Sequence, residues 1–350
     1  MRTVTAAASD VGRRRSGNED SYEIWVSDSL GREHIADTLL GVCDGMGGSN
    51  AGEVASRLAV EAVVRVFSED KGDDVVAALS HAVTAANEEV HEHSRSRADL
   101  QGMGTTCTVA ALKGDRVALA QVGDSRAYLV RGGNIRQLTE DHSLVAQLVA
   151  RKQLTPQEAR TDPRRNVVTR SVGVGPTVEV DARMFEEPLR AGDTLLLCSD
   201  GLHGQVSDED LAGIASGESL ERACRELIAL ANAHGGPDNI TVALARLEGP
   251  ESHESRESHE SNESRESREP SAPPRKGAPS SPRAASRPAS KPRSDGGARR
   301  RTLQLLIVAF IALAIVISGI IFAVLGLMHR QDTQHSSNAG GRVEERLAWR

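Results

Sequence analysis

Two apolar runs with the same ending constrain this chain more than any other feature in it. Leu39-Leu40-Gly41-Val42-Cys43 stops at Asp44-Gly45, and Leu195-Leu196-Leu197-Cys198-Ser199 stops at Asp200-Gly201. Each is long enough for a buried strand, and each delivers a carboxylate to its end. One Asp-Gly by itself marks a hairpin turn. Two copies after matched runs can bring two carboxylates into one small space. A hard divalent cation needs that arrangement: oxygen ligands on rigid elements, with glycines that let backbone carbonyls approach.

The rest of the N-terminal part alternates strands with paired helices. Residues 3–8 and 22–26 read as short strands around the polar turn Gly12 to Asp20, and the strand ending at Asp44 follows. Residues 53–67 carry Val54, Leu58, Val60, Ala62, Val64 and Phe67 at helical spacing, and residues 73–93 repeat the pattern. Residues 105–112, 116–122 and 126–130, joined by Gly/Asp turns, predict an antiparallel meander, with 134–138 as a further strand. Residues 143–160 predict a polar helix interrupted at Pro156. Residues 177–185 alternate as a half-exposed strand, 194–198 is the second buried strand, 220–233 an amphipathic helix and 239–247 a closing strand. Consecutive strands separated by helix pairs predict an α+β class, with antiparallel sheets and helices packed outside. A doubly wound parallel sheet would need βαβ alternation, which is absent.

Composition narrows the function classes. The net charge of -7 gives no reason to expect nucleic acid, and at 2% aromatic content base-stacking platforms are not expected. Cys43, Cys107, Cys198 and Cys224 never form C-x-x-C and read as buried thiols of a reducing compartment. Residues 1–12 lack the apolar core of a signal peptide.

After residue 248 the character changes. Residues 249–302 hold a Glu-Ser repeat and then a basic Pro-rich stretch, too polar to bury a core, and predict a disordered linker. A solvated spacer is the plainer reading of the repeat; a phosphorylation target is the functional one. Residues 303–328, from Leu303 to Met328, carry no charge and are preceded by Arg299-Arg300-Arg301. At ~1.5 Å per residue the stretch spans roughly 39 Å, enough to cross a bilayer of ~30 Å with tilt. It predicts one C-terminal transmembrane helix, with 329–350 as a short extracytoplasmic tail. The excess of Lys and Arg before it predicts a cytoplasmic position for the 1–248 domain, and hence a single-pass protein of the cell membrane.

Several familiar chemistries are excluded. Gly47 to Gly52 has P-loop glycine spacing, but Glu53-Val54 stand where Lys-Ser/Thr would hold phosphate. No cysteine has an arginine six residues later, and no His-Glu-x-x-His is present. What remains is a set of carboxylates on turns: Glu19-Asp20, Asp44-Gly45, Asp124, Asp200-Gly201 and Asp238-Asn239. Carboxylates with little histidine or thiol select Mg²⁺ or Mn²⁺ over zinc. Two such ions roughly 3.5–4 Å apart can activate water for in-line attack on phosphorus, with an arginine clamping the phosphoryl oxygens.

These motifs, taken in order, resemble the type 2C metal-dependent serine/threonine protein phosphatases, and the bacterial, membrane-anchored members in particular. The resemblance is carried by Arg15-Ser16-Gly17-Asn18-Glu19-Asp20, Val42-Cys43-Asp44-Gly45-Met46-Gly47-Gly48, Gly102-Met103-Gly104-Thr105-Thr106, Val122-Gly123-Asp124-Ser125-Arg126, Cys198-Ser199-Asp200-Gly201-Leu202 and Pro237-Asp238-Asn239. It implies a central β-sandwich of two antiparallel sheets flanked by α-helices, over residues 1–248, that hydrolyses phosphoserine and phosphothreonine on proteins. Asp44 would bridge two Mn²⁺ or Mg²⁺ ions, and Gly45 would ligate one through its carbonyl. Asp200 and Asp238 would complete the other shell, Glu19 would act through bound water, and Asp20 would stand behind them. Arg15, four residues before Glu19, would bind the substrate phosphate, and Asp124 would hold a third, weaker metal. Residues 142–170 fall where the family has a mobile flap. A membrane serine/threonine kinase and its substrates are the implied partners. Met46 departs from relatives that carry a histidine there as general acid; His142 and His203 are the imidazoles that could replace it, and both read more readily as structural. A degenerate, merely phosphoprotein-binding module would be expected to lack one of Asp44, Asp200 or Asp238, and none is lost.

Overall fold

The computed structural model describes residues 2–27, 34–47 and 51–249. Strands β1 (Arg2–Asp10), β2 (Asp20–Val26) and β3 (Thr38–Met46) lead into two long helices, α1 (Ala51–Glu69) and α2 (Val75–Ser96). The carboxylate of Asp74 caps α2 by accepting from the Val76 and Ala77 amides, which otherwise lack intrahelical partners. The meander follows as β4 (Gly104–Thr105), β5 (Cys107–Lys113), β6 (Arg116–Val122), β7 (Arg126–Arg131) and β8 (Asn134–Gln137). Short helices α3 (Leu144–Ala150) and α4 (Pro156–Thr161) precede β9 (Asp181–Met184). The chain then runs through β10 (Thr194–Cys198), α5 (Asp200–His203), α6 (Asp208–Ala215), α7 (Leu220–Ala233) and β11 (Ile240–Glu248).

The strands form two antiparallel sheets, ordered β1-β11-β10-β7-β8 and β2-β3-β5-β6-β9, as the α+β reading expected. Three apolar layers hold them. In β3, Leu39 and Cys43 face α1 and α2, while Leu40 and Val42 face the other sheet. In β10, Leu196 and Cys198 pack with α6 and α7, while Leu195 and Leu197 meet Leu40 and Val42 in the layer between sheets. A strand covered on both faces cannot alternate apolar with polar, which is why both runs are continuously apolar. Leu195 and Leu197 are fully buried, and truncating either to Ala would cost about 2–5 kcal/mol.

Three expectations change. The single helix over 143–160 is two, because Lys152 takes a left-handed backbone (φ 57°) after α3 and Pro156 opens α4. Thr155 and Glu158 cap that second helix reciprocally. The strand over 177–185 pairs only from Asp181, since its partner β6 ends at Val122 and Gly123 turns away (φ 107°). Helices α5 and α6 were not foreseen; Ser207, accepting from the Asp210 amide, is the local signal for α6.

The expected linker, the transmembrane segment Leu303 to Met328 and the 329–350 tail lie beyond the described residues, apart from Gly249. Among the described residues no helix is long and apolar enough to cross a membrane.

Candidate active site

The two Asp-Gly pairs turn out to be built differently. Asp44 and Gly45 do not follow β3 but belong to it, with Asp44 directly opposite Asp20 of β2. The Asp44 carbonyl accepts from the Thr106 amide and the Thr105 hydroxyl, and its own amide donates to Thr106 Oγ1 at 2.8 Å. Asp200, by contrast, is the first residue of α5. In both pairs glycine is required by close approach: a Cβ on Gly45 would sit 2.1 Å from the Gly52 carbonyl oxygen, and one on Gly201 1.9 Å from that of Asn239. The glycines let separate backbones pack until their acidic neighbours meet.

Around these two, the chain gathers the remaining acids at one end of the sandwich. Asp20 opens β2 and is buried; its Oδ2 accepts from Ser199 Oγ at 2.7 Å, and its Oδ1 has no partner among the described residues. Glu19 is held through its backbone, its amide donating to Asn239 Oδ1 and its carbonyl accepting from the Gly45 amide. Asn239 also donates to the Val11 and Gly17 carbonyls, 2.9 Å each, and so pins the Arg15 loop to the start of β11. From that loop Arg15 reaches Asp238 Oδ2 at 2.8 Å and Glu19 at 3.7 Å.

The acids feel one another strongly. Burial pushes the Asp44 carboxyl well above the usual range, and the charges of Asp20, Asp200, Asp124 and Asp238 push it further. Asp20 is raised to about 7, first by burial and then by Asp200 and Asp238, against hydrogen bonds from Thr241 and Ser199. Asp124 is raised to about 7 by burial and by Asp200. Burial and Asp238 raise Asp200 to about 6, opposed by a hydrogen bond with Asp44 and by the charges of Arg15 and Arg165. Glu19 is raised by partial burial despite Arg15. Thus all the expected acidic residues converge, Gly45 stands among them, and Arg15 lies at the rim.

Carboxylate oxygens that repel one another, with the buried Asp20 Oδ1 unpartnered among the described residues, fit a hard divalent cation. Among the described residues no group of three or more His, Cys, Asp or Glu is arranged to hold a metal by side chains alone.

The two imidazoles are structural. His203 is half-buried beside the site, its Nε2–H donating to the Asp124 carbonyl at 3.1 Å, and desolvation with Arg126 nearby lowers it to about 3. His142 binds the Gly123 backbone on one side and Asp181 on the other. Met46 ends β3 opposite Gly104. Sequence reading had given no role to Thr106, Ser199 or the Asn239 side chain. Their signal was position alone, as small polar residues beside the acidic motifs at strand ends.

Comparison with known proteins finds relatives that match the same region of the chain. The family model described as Protein phosphatase 2C matches residues 13–245. The serine/threonine protein phosphatase PstP of Mycobacterium tuberculosis is 40% identical over 240 residues, covering 69% of this chain and 44% of that protein. This chain thus spans under half the length of that relative. The serine/threonine phosphatase stp of Listeria monocytogenes is 38% identical over 240 residues, covering 67% of this chain and 92% of its own length. A crystal structure of the catalytic domain of serine threonine protein phosphatase PstP in complex with two manganese ions superposes with a TM-score of 0.60 at 37% identity, covering 71% of this chain and 99% of that one.

Proposed function

This chain belongs to the protein phosphatase 2C family, and from that premise we propose that it hydrolyses phosphoserine and phosphothreonine on proteins. Two Mn²⁺ or Mg²⁺ ions would be held by Asp44, the Gly45 carbonyl, Asp200 and Asp238, with Glu19 acting through water and Asp124 taking a weaker third ion. When bound, the ions supply Lewis acidity, polarising water and the phosphoryl oxygens for in-line displacement. Arg15 orients the phosphate: its guanidinium stands at the rim, tied to Asp238, where it can present a fork of donors to phosphoryl oxygens. Asp20, fixed by Ser199, keeps its neighbours Glu19 and Ser21 in register with β3. Met46 has no proton to give, and the half-buried His203 is neutral and already donates to the Asp124 carbonyl, so the leaving oxygen takes its proton from water.

One observation carries this reading: Asp44 stands directly opposite Asp20, Ser199 beside Asp200 bonds the Asp20 carboxylate, and Arg15 reaches Asp238 at their edge. The test is phosphate release from phosphoserine and phosphothreonine peptides by the purified full chain with Mn²⁺, with Asp200→Asn as control. Release that vanishes in the variant is expected. No release from the wild type would overturn the assignment.

The uncharged stretch Leu303 to Met328 supports a single-pass anchor with the catalytic domain at the cytoplasmic face of a cell membrane. About 54 linker residues give a root-mean-square reach of roughly 40 Å, which suits phosphoproteins near the bilayer. A membrane serine/threonine kinase and its substrates fit that geometry. Deleting residues 303–328 should raise phosphorylation of membrane-proximal proteins in cells; an unchanged phosphoproteome would remove the anchored part of the proposal.

A further inference from the structure

The chain leaves the sandwich after β8, makes an excursion through α3 and α4, and returns at β9. Both ends of that excursion close on His142. At the outgoing end, Ser143 bridges to Val168. At the returning end, the Thr169 amide donates to the His142 carbonyl at 2.7 Å. Arg170 then lies 3.2 Å from His142 Nε2 and donates to Asp181 Oδ1 at 2.8 Å.

The other side of His142 holds the Asp124 turn. Its Nδ1 accepts from the Gly123 amide at 3.0 Å, and its own amide donates to the Gly123 carbonyl at 2.9 Å. Both polar groups of Gly123 are therefore bonded to this one residue. Gly123 has φ 107°, and a Cβ there would sit 2.6 Å from the Thr106 side chain, so only glycine suits this turn and its two bonds to His142 are what hold it. An Nδ1 that accepts leaves the ring proton on Nε2, which donates to Asp181 Oδ2 at 2.9 Å. Asp181 serves as a carboxylate: partial burial works against its charge, but hydrogen bonds from His142 and Arg170 outweigh that and hold it below the usual range. His142 is buried, so each ring nitrogen depends on the protein partner it has.

We propose that His142 is a positioning residue that couples the excursion between β8 and β9 to the Asp124 turn, so that its contacts with Asp181 and Arg170 set how tightly Asp124 contributes to cation binding. The role rests on the functional reading above, but it has readouts that do not need turnover.

The test uses the purified full chain and compares three variants by Mn²⁺ titration, followed by electron paramagnetic resonance, and by amide hydrogen exchange at residues 122–125. Asp181→Ala removes only the outer contact, from a half-exposed side chain. It is expected to weaken the loosest Mn²⁺ binding step by about tenfold, the lower end for residues behind a metal ligand, with little change in melting temperature. His142→Asn keeps an acceptor for the Gly123 amide but falls short of Asp181, and should match Asp181→Ala. His142→Gln reaches toward Asp181 without serving Gly123, and should speed exchange at Gly123 by about tenfold or more. Excess Mn²⁺ should restore metal occupancy in Asp181→Ala, which a purely structural lesion would not permit. Unchanged Mn²⁺ binding in Asp181→Ala, or unchanged exchange in His142→Gln, would overturn the coupling. A wild type that binds Mn²⁺ yet releases no phosphate would instead overturn the functional reading and leave this one to be judged by the exchange data.

Discussion

Two groups of buried charge lie a few residues apart and obey opposite rules. Arg126 donates to both oxygens of Asp141, from Nε at 2.9 Å and from Nη2 at 2.6 Å, and to the Tyr128 hydroxyl at 3.0 Å. Gln137 gives Asp141 a further bond. Each charge there meets its opposite, and the network closes on itself. Among the described residues, Asp20, Asp44, Asp124 and Asp200 stand together with no arginine hydrogen-bonded to them, while Arg15 bonds Asp238 and lies 3.7 Å from Glu19 at the rim. The difference separates scaffold from site. A compensated pair costs the fold little while both partners are present, whereas an uncompensated cluster is a cost the fold carries because something positive is to bind there.

Perturbing the two groups should give opposite results. The largest effect is expected at Asp44. Asp44→Asn should lower turnover about 10³-fold or more, comparable to about 4 kcal/mol of transition-state stabilisation. The same substitution should raise the melting temperature of the metal-stripped chain at neutral pH, since it removes a carboxyl that folding must hold protonated there. A lower melting temperature would mean that the cluster is not under the strain described.

Next comes Arg126→Met. It strands Asp141 in a largely buried position and should destabilise by about 3 kcal/mol, read by urea unfolding, because Gln137 keeps one bond. Pairing it with Asp141→Leu should recover most of that loss. Metal-stripped stability that is unchanged in the single variant would erase the contrast between the groups.

The smallest effect is on pH dependence. Asp20 and Asp124 at about 7 and Asp200 at about 6 lie above the ordinary carboxylate value. In the folded chain they therefore keep protons that the unfolded chain has already released. Folding stability without metal should then fall as pH rises through 6 and 7, with the melting temperature several degrees lower at pH 8 than at pH 5.5. Mn²⁺ should restore stability most at the alkaline end, where the ligands are ionised. A flat profile without metal would count against the mutual repulsion.

How much was legible beforehand follows from the range of each signal. Helix α7 spans residues 220–233 as its periodicity predicts, because a helix answers to neighbours three and four positions away. The two apolar runs appear as β3 and β10 for an equally local reason. The split of 143–160 was half legible, with Pro156 visible but not the left-handed Lys152. The shortening of β9 was not, since it depends on where β6 stops.

At the site the same division holds. Which side chains carry negative charge, and that glycine follows two of them, was written in the chain itself; amino-acid identity and turn chemistry are properties of a few consecutive residues. Only the folded molecule decided that Asp44 lies within its strand opposite Asp20, that Ser199 holds Asp20, and that Asn239 gathers the Arg15 loop. Those contacts join residues far apart in sequence through the order of strands in two sheets. Strand order is settled by burial of whole faces rather than by any local pattern, so the partners of each acid became visible only once the sheets had closed.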